Sequence, residues 1–134
     1  MAPSCSRCRA DAVGFVVPDA LRPFTAFDAD QAVLCRVCLT LDPTDAPAVE
    51  EGVDLTVVSE AFPTDAEAAA AVAVLLGLLE SLALHRQDIQ AVIDLLEAEG
   101  VDALLVLDRL ADDPALRPAV DLDRRIHQLD QLLE

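Results

Sequence analysis

The segments CSRC (residues 5–8) and CRVC (residues 35–38) contain all four cysteines of the chain, and 26 residues separate them. Two CxxC pairs with such a separation are typical of a tetrahedral metal site, and zinc is the metal that four thiolates suit best. Four cysteines also leave no open position on the metal, which favours a structural ion. Iron, thiol redox chemistry and metal-free cysteines remain as alternatives. The sequence predicts one structural Zn²⁺ with four ligands: Cys5, Cys8, Cys35 and Cys38.

Three arginines, Arg7, Arg9 and Arg36, each stand beside one of these cysteines. Four thiolates leave a net negative charge on a bound dication, and we expect the arginines to offset it. Their other interpretation is contact with the phosphates of a nucleic acid. The charge-balancing role is favoured, because a chain with a net charge of −16 repels a polyanion.

Short apolar stretches lie between the two cysteine pairs and directly after the second one. They predict strands at residues 12–17, 31–34 and 39–41. Residues 1 to about 42 resemble a zinc ribbon, the rubredoxin-like hairpin fold with a cysteine knuckle at each end. Such knuckles commonly read Cys-Pro-x-Cys-Gly, whereas Arg9 and Leu39 stand where the glycines would be. The resemblance implies that β-hairpins carry the four ligands.

The remaining chain predicts helices. A capping box at residues 64–67 marks the start of a helix that should run to about Leu84. Residues 68–79 are apolar on every face, and small residues recur every four positions from Ala69 to Ser81. A helix apolar all round is buried all round, so this one is either the centre of a bundle or a dimer interface.

Three more helices are predicted at residues 86–99, 102–111 and from Asp121 to the C-terminus, with Gly100 as a C-cap. Residues 53–62 fit either a strand or a short helix capped by Asp54, and the helix is favoured. The predicted fold class is therefore α+β. Its organisation is a zinc ribbon at 1–42, a linker at 43–53 and an acidic bundle of about four helices at 54–134.

The charge balance is strongly acidic, with 25 acidic residues against nine arginines and no lysine. A surface of this kind is typical of proteins adapted to high salt, where ions screen the repulsion between carboxylates. An ordinary acidic bacterial protein is the alternative. The N-terminus lacks the basic start and apolar run of a signal peptide. We therefore expect a cytoplasmic protein that does not span a membrane.

Three further stretches carry a resemblance over the whole chain, at residues 17–22, 61–63 and 107–114. With the cysteine pairs, they resemble a haloarchaeal family of small zinc-ribbon proteins with no assigned function. That resemblance implies a habitat and a metal, and no activity.

The predicted function is a non-enzymatic interaction, adaptor or regulatory module with a protein partner. A homodimer could form through the helix at residues 64–84. One alternative is a transcription- or RNA-associated zinc ribbon. The other is a metal- or thiol-dependent enzyme, although no nucleophile accompanies His85 or His127 in a catalytic motif.

Overall fold

The computed structural model describes residues 3–25, 30–44 and 53–133. Near its N-terminus lies an antiparallel three-stranded sheet in the order β1-β2-β3. The strands are β1 (Ala12–Val16), β2 (Gln31–Cys35) and β3 (Leu41–Pro43). Four of the five residues of the central strand β2 are buried. The sheet followed by helices confirms the predicted α+β class.

The first two strands confirm the sequence prediction, but the third lies two residues later than expected. Leu39 has a φ of +62°. This left-handed conformation lies outside the extended region, so Leu39 cannot belong to a strand. Extended pairing resumes at Leu41, which lies opposite Leu34. The predicted strand at residues 39–41 is therefore wrong in position, because its first residue belongs to a tight turn.

Helix α1 (Ala66–Leu78) begins one residue later than the predicted capping box requires. Asp65, and not Thr64, is its N-cap, and the Asp65 carboxylate accepts a 3.0 Å hydrogen bond from the amide of Ala68. Aspartate is at least as good an N-cap as threonine, and its charge favours the positive end of the helix dipole.

The C-terminal part of this helix also differs from the prediction. A tighter 3₁₀ segment, Leu79–Leu84, follows α1, and Ser81 inside it leaves helical geometry with φ −134° and ψ 61°. The predicted helix to about Leu84 is thus two segments with a break near the end of the small-residue stripe.

Helix α1 is the centre of the fold. Ten of its 13 residues are buried. A Cβ atom on Gly77 would lie 3.0 Å from Leu41 Cδ2, so the missing side chain allows β3 to pack closely. Within the described chain, Ala66–Leu84 is the one helical stretch long and apolar enough to span a membrane, and 67% of its most apolar window is buried. That burial is typical of a core helix.

The other helices are α2 (Arg86–Ala98), α3 (Ala103–Ala111) and α4 (Leu122–Leu132). They confirm the three further helices predicted from the sequence and the C-cap predicted at Gly100. The carboxylates of Asp102 and Asp121 each accept from an amide in the first turn of α3 and α4. Gly100, at φ +79°, ends α2. Its amide donates to the Glu97 carbonyl, and the next amide donates to Leu96, as in a Schellman motif.

Between the sheet and α1 lies a single 3₁₀ turn, Leu55–Val57, which confirms the short helix favoured for this stretch. The Asp54 carboxylate caps it by accepting from the Thr56 amide at 2.9 Å. The Thr56 hydroxyl donates to the same carboxylate at 2.6 Å, and the hydrogen bonds from this hydroxyl and from the amide lower the pKa of Asp54.

One hydrophobic cluster contains both the sheet and the helices: Phe15 and Leu34 share it with Leu75, Ile93 and Leu110. The sheet therefore packs directly on the helical core. Most of the linker predicted at residues 43–53 lies outside the described residues, and the division into two domains stays a prediction.

Candidate metal centre

The two cysteine knuckles have the same backbone pattern. The first precedes β1, and the amide of Cys5 donates to the carbonyl of Ala10 at 2.8 Å. The second follows β2, and the amide of Cys35 donates to the carbonyl of Thr40 at 3.0 Å. In each knuckle the first cysteine thus closes a turn onto the residue five positions later.

The residue after the second cysteine of each knuckle has positive φ, +64° at Arg9 and +62° at Leu39. These are the described non-glycine residues with positive φ. A left-handed residue with a Cβ atom costs about 1–2 kcal/mol, which explains why glycine is common at this position in zinc ribbons. The knuckle geometry is therefore kept here at some energetic cost, without the glycines.

The hairpin brings the two knuckles together, so that the four Sγ atoms all lie within 4.8 Å of one another. Cys5 Sγ is 3.6 Å from Cys38 Sγ, and Cys8 Sγ is 3.4 Å from Cys35 Sγ. A tetrahedron with metal–sulfur bonds of about 2.3 Å has sulfur–sulfur edges of about 3.8 Å, whereas a disulfide is about 2.05 Å long. The four donors therefore fit a single metal ion.

Backbone amides point at two of the sulfurs. The amide of Arg7 donates to Cys5 Sγ at 3.3 Å, and the amides of Val37 and Cys38 donate to Cys35 Sγ at 3.3 Å. Such hydrogen bonds stabilise negative charge on sulfur and fix the orientation of a thiolate ligand. They come from the tight knuckle turns and so need no particular side chain.

The cluster lies at the edge of the core. Cys5, Cys35 and Cys38 are buried, and Cys8 is exposed. Thr40 is buried as well, and its hydroxyl lies 3.0 Å from Cys38 Sγ. A metal at this position would be shielded on three sides and reach the surface at Cys8.

The thiol environments differ. Burial raises the pKa of Cys35 to about 12 and also raises the pKa of Cys38. Burial acts in the same direction on Cys5, but the backbone amides of Cys8 and Arg7 outweigh it and lower the pKa of Cys5 to about 7. Since metal ligands must be deprotonated, a bound metal would displace the protons of the two buried thiols of the second knuckle.

The arginines beside the cysteines contact the helical region. Arg7 forms a 3.1 Å ion pair with Glu80, which follows α1, and Arg36 donates to the carbonyl of Val57 at 3.2 Å. Arg9 is exposed. Two of the three arginines that were expected to balance the thiolates thus also attach the knuckles to the rest of the fold.

A second attachment was not foreseen from the sequence. The segment between α3 and α4 runs along the second knuckle, where the amide of Arg117 donates to the Val37 carbonyl at 2.7 Å and the amide of Ala119 donates to the Cys38 carbonyl at 3.0 Å. Pro118 between them fits an extended segment that donates at alternate residues. Its presence in the sequence could suggest such a segment, but not its partner.

Within the described ranges, the cysteines are the one group of three or more His, Cys, Asp or Glu side chains close enough to share a metal ion. The two histidines lie elsewhere. His85 is the half-buried residue before α2, and His127 is exposed on α4.

Neither the curated proteins nor the solved structures include a significant match to the chain. One family model matches residues 4–133, which include both knuckles, the sheet and all four helices. The chain therefore belongs to the family described as a family of unknown function, DUF6276.

Proposed function

We propose that the chain binds one zinc ion through its four cysteines, and that the ion is a structural clamp in a non-enzymatic interaction or regulatory protein. The four-sulfur cluster supports this most directly, because its spacing fits a tetrahedral ion with no position left for a substrate. The borderline-soft Zn²⁺ suits four thiolates better than the oxygen-preferring divalent cations.

The attachment of the cluster supports a structural role. Hydrogen bonds from Arg117 and Ala119 connect the second knuckle to the segment before α4, and Arg7 connects the first knuckle to Glu80. A metal that closes the knuckles would also hold these helical contacts in place. Structural zinc contributes on the order of 10 kcal/mol to the folding of small modules, enough to decide whether this one folds.

For the partner we propose another protein. A homodimer through residues 64–84 gains little support, since most of α1 is buried against its own chain. The surface of α2, α3 and α4 is more accessible. We further propose a cytoplasmic setting at high salt, which the −16 net charge and the absence of lysine support.

Nucleic-acid binding is the second candidate. Arg9 is exposed beside the first knuckle, but Arg7 is already paired with Glu80. Retention on immobilised nucleic acid that survives molar salt and weakens when Arg7 and Arg9 are replaced by Gln would favour this candidate. A lack of retention at every salt concentration would remove it.

The proposal is tested by metal analysis of protein purified under reducing conditions, followed by affinity capture from cells at native salt. We expect one zinc per chain, and capture of a protein that the metal-free Cys35→Ser variant does not retain. Protein purified without bound metal would contradict the clamp. A fully coordinated site with thiols unreactive to alkylation would argue against the enzyme alternative.

A further inference from the structure

Two adjoining polar clefts lie along the 3₁₀ segment that follows α1, and one of them reaches the first knuckle. One is an open cleft of about 470 Å³, lined by the first knuckle, by the 3₁₀ segment after α1 and by the N-terminal end of α4. The other, of about 440 Å³, lies between the 3₁₀ segment, the start of α2 and the outer face of α4. Arg125 lines both. We refer to the two together as the arginine cleft.

The charge of this cleft is opposite to that of the protein. Four of the nine arginines line it, accompanied by two acidic residues, Glu80 and Asp121. The rest of the chain therefore has five arginines and 23 acidic residues. A concave positive surface inside a strongly negative field concentrates anions locally. The four arginines are Arg7, Arg86, Arg124 and Arg125.

Both acids of the cleft are already engaged. Glu80 forms the 3.1 Å ion pair with Arg7. Asp121 caps α4 by accepting from the backbone amide of Arg124 at 3.1 Å. Their charges are therefore partly neutralised, one by a guanidinium and one by the positive end of a helix.

The arginines are partly held in place. Arg125 is half-buried, and its guanidinium donates to Gln128 Oε1 at 2.8 Å and to the Glu80 carbonyl at 3.5 Å. Neither of these acceptors carries a charge. The guanidinium of Arg124 makes no ion pair or hydrogen bond with any residue in the described part of the chain. The cleft thus combines a positioned cation with one whose donors all remain available.

We propose that the arginine cleft binds a small polyvalent oxyanion, an oligophosphate or a polycarboxylate. Guanidinium groups bind both by paired, charge-assisted hydrogen bonds. The size of the cleft suits a compact ligand. A long nucleic acid is a poorer fit, because its further phosphates would lie against the acidic remainder of the surface.

The test is a calorimetric titration of the full chain with pyrophosphate and, separately, with citrate, at low and at molar salt. We expect saturable binding of at least one probe. The double change Arg124→Gln and Arg125→Gln should weaken it about tenfold or more, since it removes two groups that donate charge-assisted hydrogen bonds. The matched control is Arg109→Gln, which removes the same charge from an exposed position on α3 outside the cleft. We expect the control to change affinity less than twofold.

Binding of pyrophosphate in preference to citrate would identify a phosphate ligand, and the reverse would identify a carboxylate ligand. No binding of either probe, or an equal loss in the Arg109→Gln control, would overturn the proposal. Tighter binding of a single-stranded oligonucleotide than of pyrophosphate would overturn it in favour of nucleic acid. Metal content measured on the same samples keeps this result separate from the zinc proposal, because the cleft contains no cysteine ligand.

Discussion

The two knuckles present the same backbone turn to one sulfur cluster, but they are attached to the protein in different ways. The first knuckle has one exposed cysteine, Cys8, and its contact with the helices is the ion pair of the half-exposed Arg7. The second knuckle has two buried cysteines, and backbone hydrogen bonds from Arg117 and Ala119 fix its carbonyls.

This difference indicates which part of the site a bound metal would hold. Exposed ion pairs contribute about 0–1 kcal/mol, and the first knuckle is otherwise attached to the sheet, where Ser6 Oγ donates to Asp42 Oδ2 at 2.8 Å. Its position relative to the helices would therefore depend on the metal. The second knuckle is continuous with β2 and the core, and it would keep part of its structure without metal. A bound metal would therefore join a turn that is weakly attached to the helices to a turn that is already positioned.

The largest contrast is expected between Cys35→Ser and Cys8→Ser. Cys35 Sγ is buried and accepts two backbone amides, whereas Cys8 lies at the surface. Both changes should lower zinc affinity. We expect Cys35→Ser to lower the midpoint temperature of unfolding more than Cys8→Ser does, as measured by far-ultraviolet circular dichroism. Arg9→Gln, at an exposed position beside Cys8, is a control that keeps all four sulfurs. An equal fall in midpoint temperature in the two cysteine variants would show that both knuckles are attached to the fold equally firmly.

Removal of the metal by a chelator should expose the knuckles unequally. We expect the amides of Cys5 and Arg9, which close the first knuckle, to gain fast hydrogen exchange first. The amides of Arg117 and Ala119, which bond the second knuckle, should remain protected longer. Hydrogen exchange measured by mass spectrometry with and without chelator checks this order. Faster loss of protection at residues 117–119 than in the first knuckle would contradict it.

The two left-handed residues give a smaller contrast. Arg9→Gly relieves backbone strain at an exposed position, and we expect a gain of about 0.5 kcal/mol after the entropy of glycine in the unfolded chain is included. Leu39→Gly relieves the same strain but removes a buried side chain, for a net loss of about 2 kcal/mol. Chemical denaturation of zinc-loaded protein measures both. Arg9→Ala, which keeps the strain, should show no gain, and a gain in Arg9→Ala equal to that in Arg9→Gly would refute the strain argument.

The smallest effect is expected from Arg7→Gln, which breaks the ion pair with Glu80 at a half-exposed position. We expect a loss below about 1 kcal/mol that fades as salt screens the pair. A loss of several kcal/mol that persists in molar salt would mean that the first knuckle is anchored more firmly than its contacts indicate.

Local sequence patterns predicted much of this fold. The cysteine spacing indicated the cluster, and the caps at Asp54, Asp121 and Gly100 each depend on residues within about one helical turn. The start of α1 was missed because Thr64 and Asp65 are adjacent N-cap candidates, and their competition depends on how the preceding chain approaches the helix.

Contacts between distant segments could not be predicted. The pairing of residues 117–119 with the second knuckle joins amides and carbonyls that any residue except proline offers, so no side chain marks it. The same holds for Arg7, whose position beside a thiolate suggested charge balance, although its ion-pair partner follows α1 some 70 positions later. The arginine cleft depends on both contacts, so the neighbouring Arg124 and Arg125 marked a basic spot in the sequence but did not reveal the cleft.

The central claim is that metal binding by the four cysteines holds the sheet and the helices together as one folded unit. The most direct measurement is a thermal melt of reduced protein of known metal content, with and without chelator, monitored by the helical circular dichroism signal. We expect one zinc per chain and a helical transition whose midpoint temperature falls steeply when zinc is removed. A metal-free protein, or a helical melt that the chelator leaves unchanged, would contradict it.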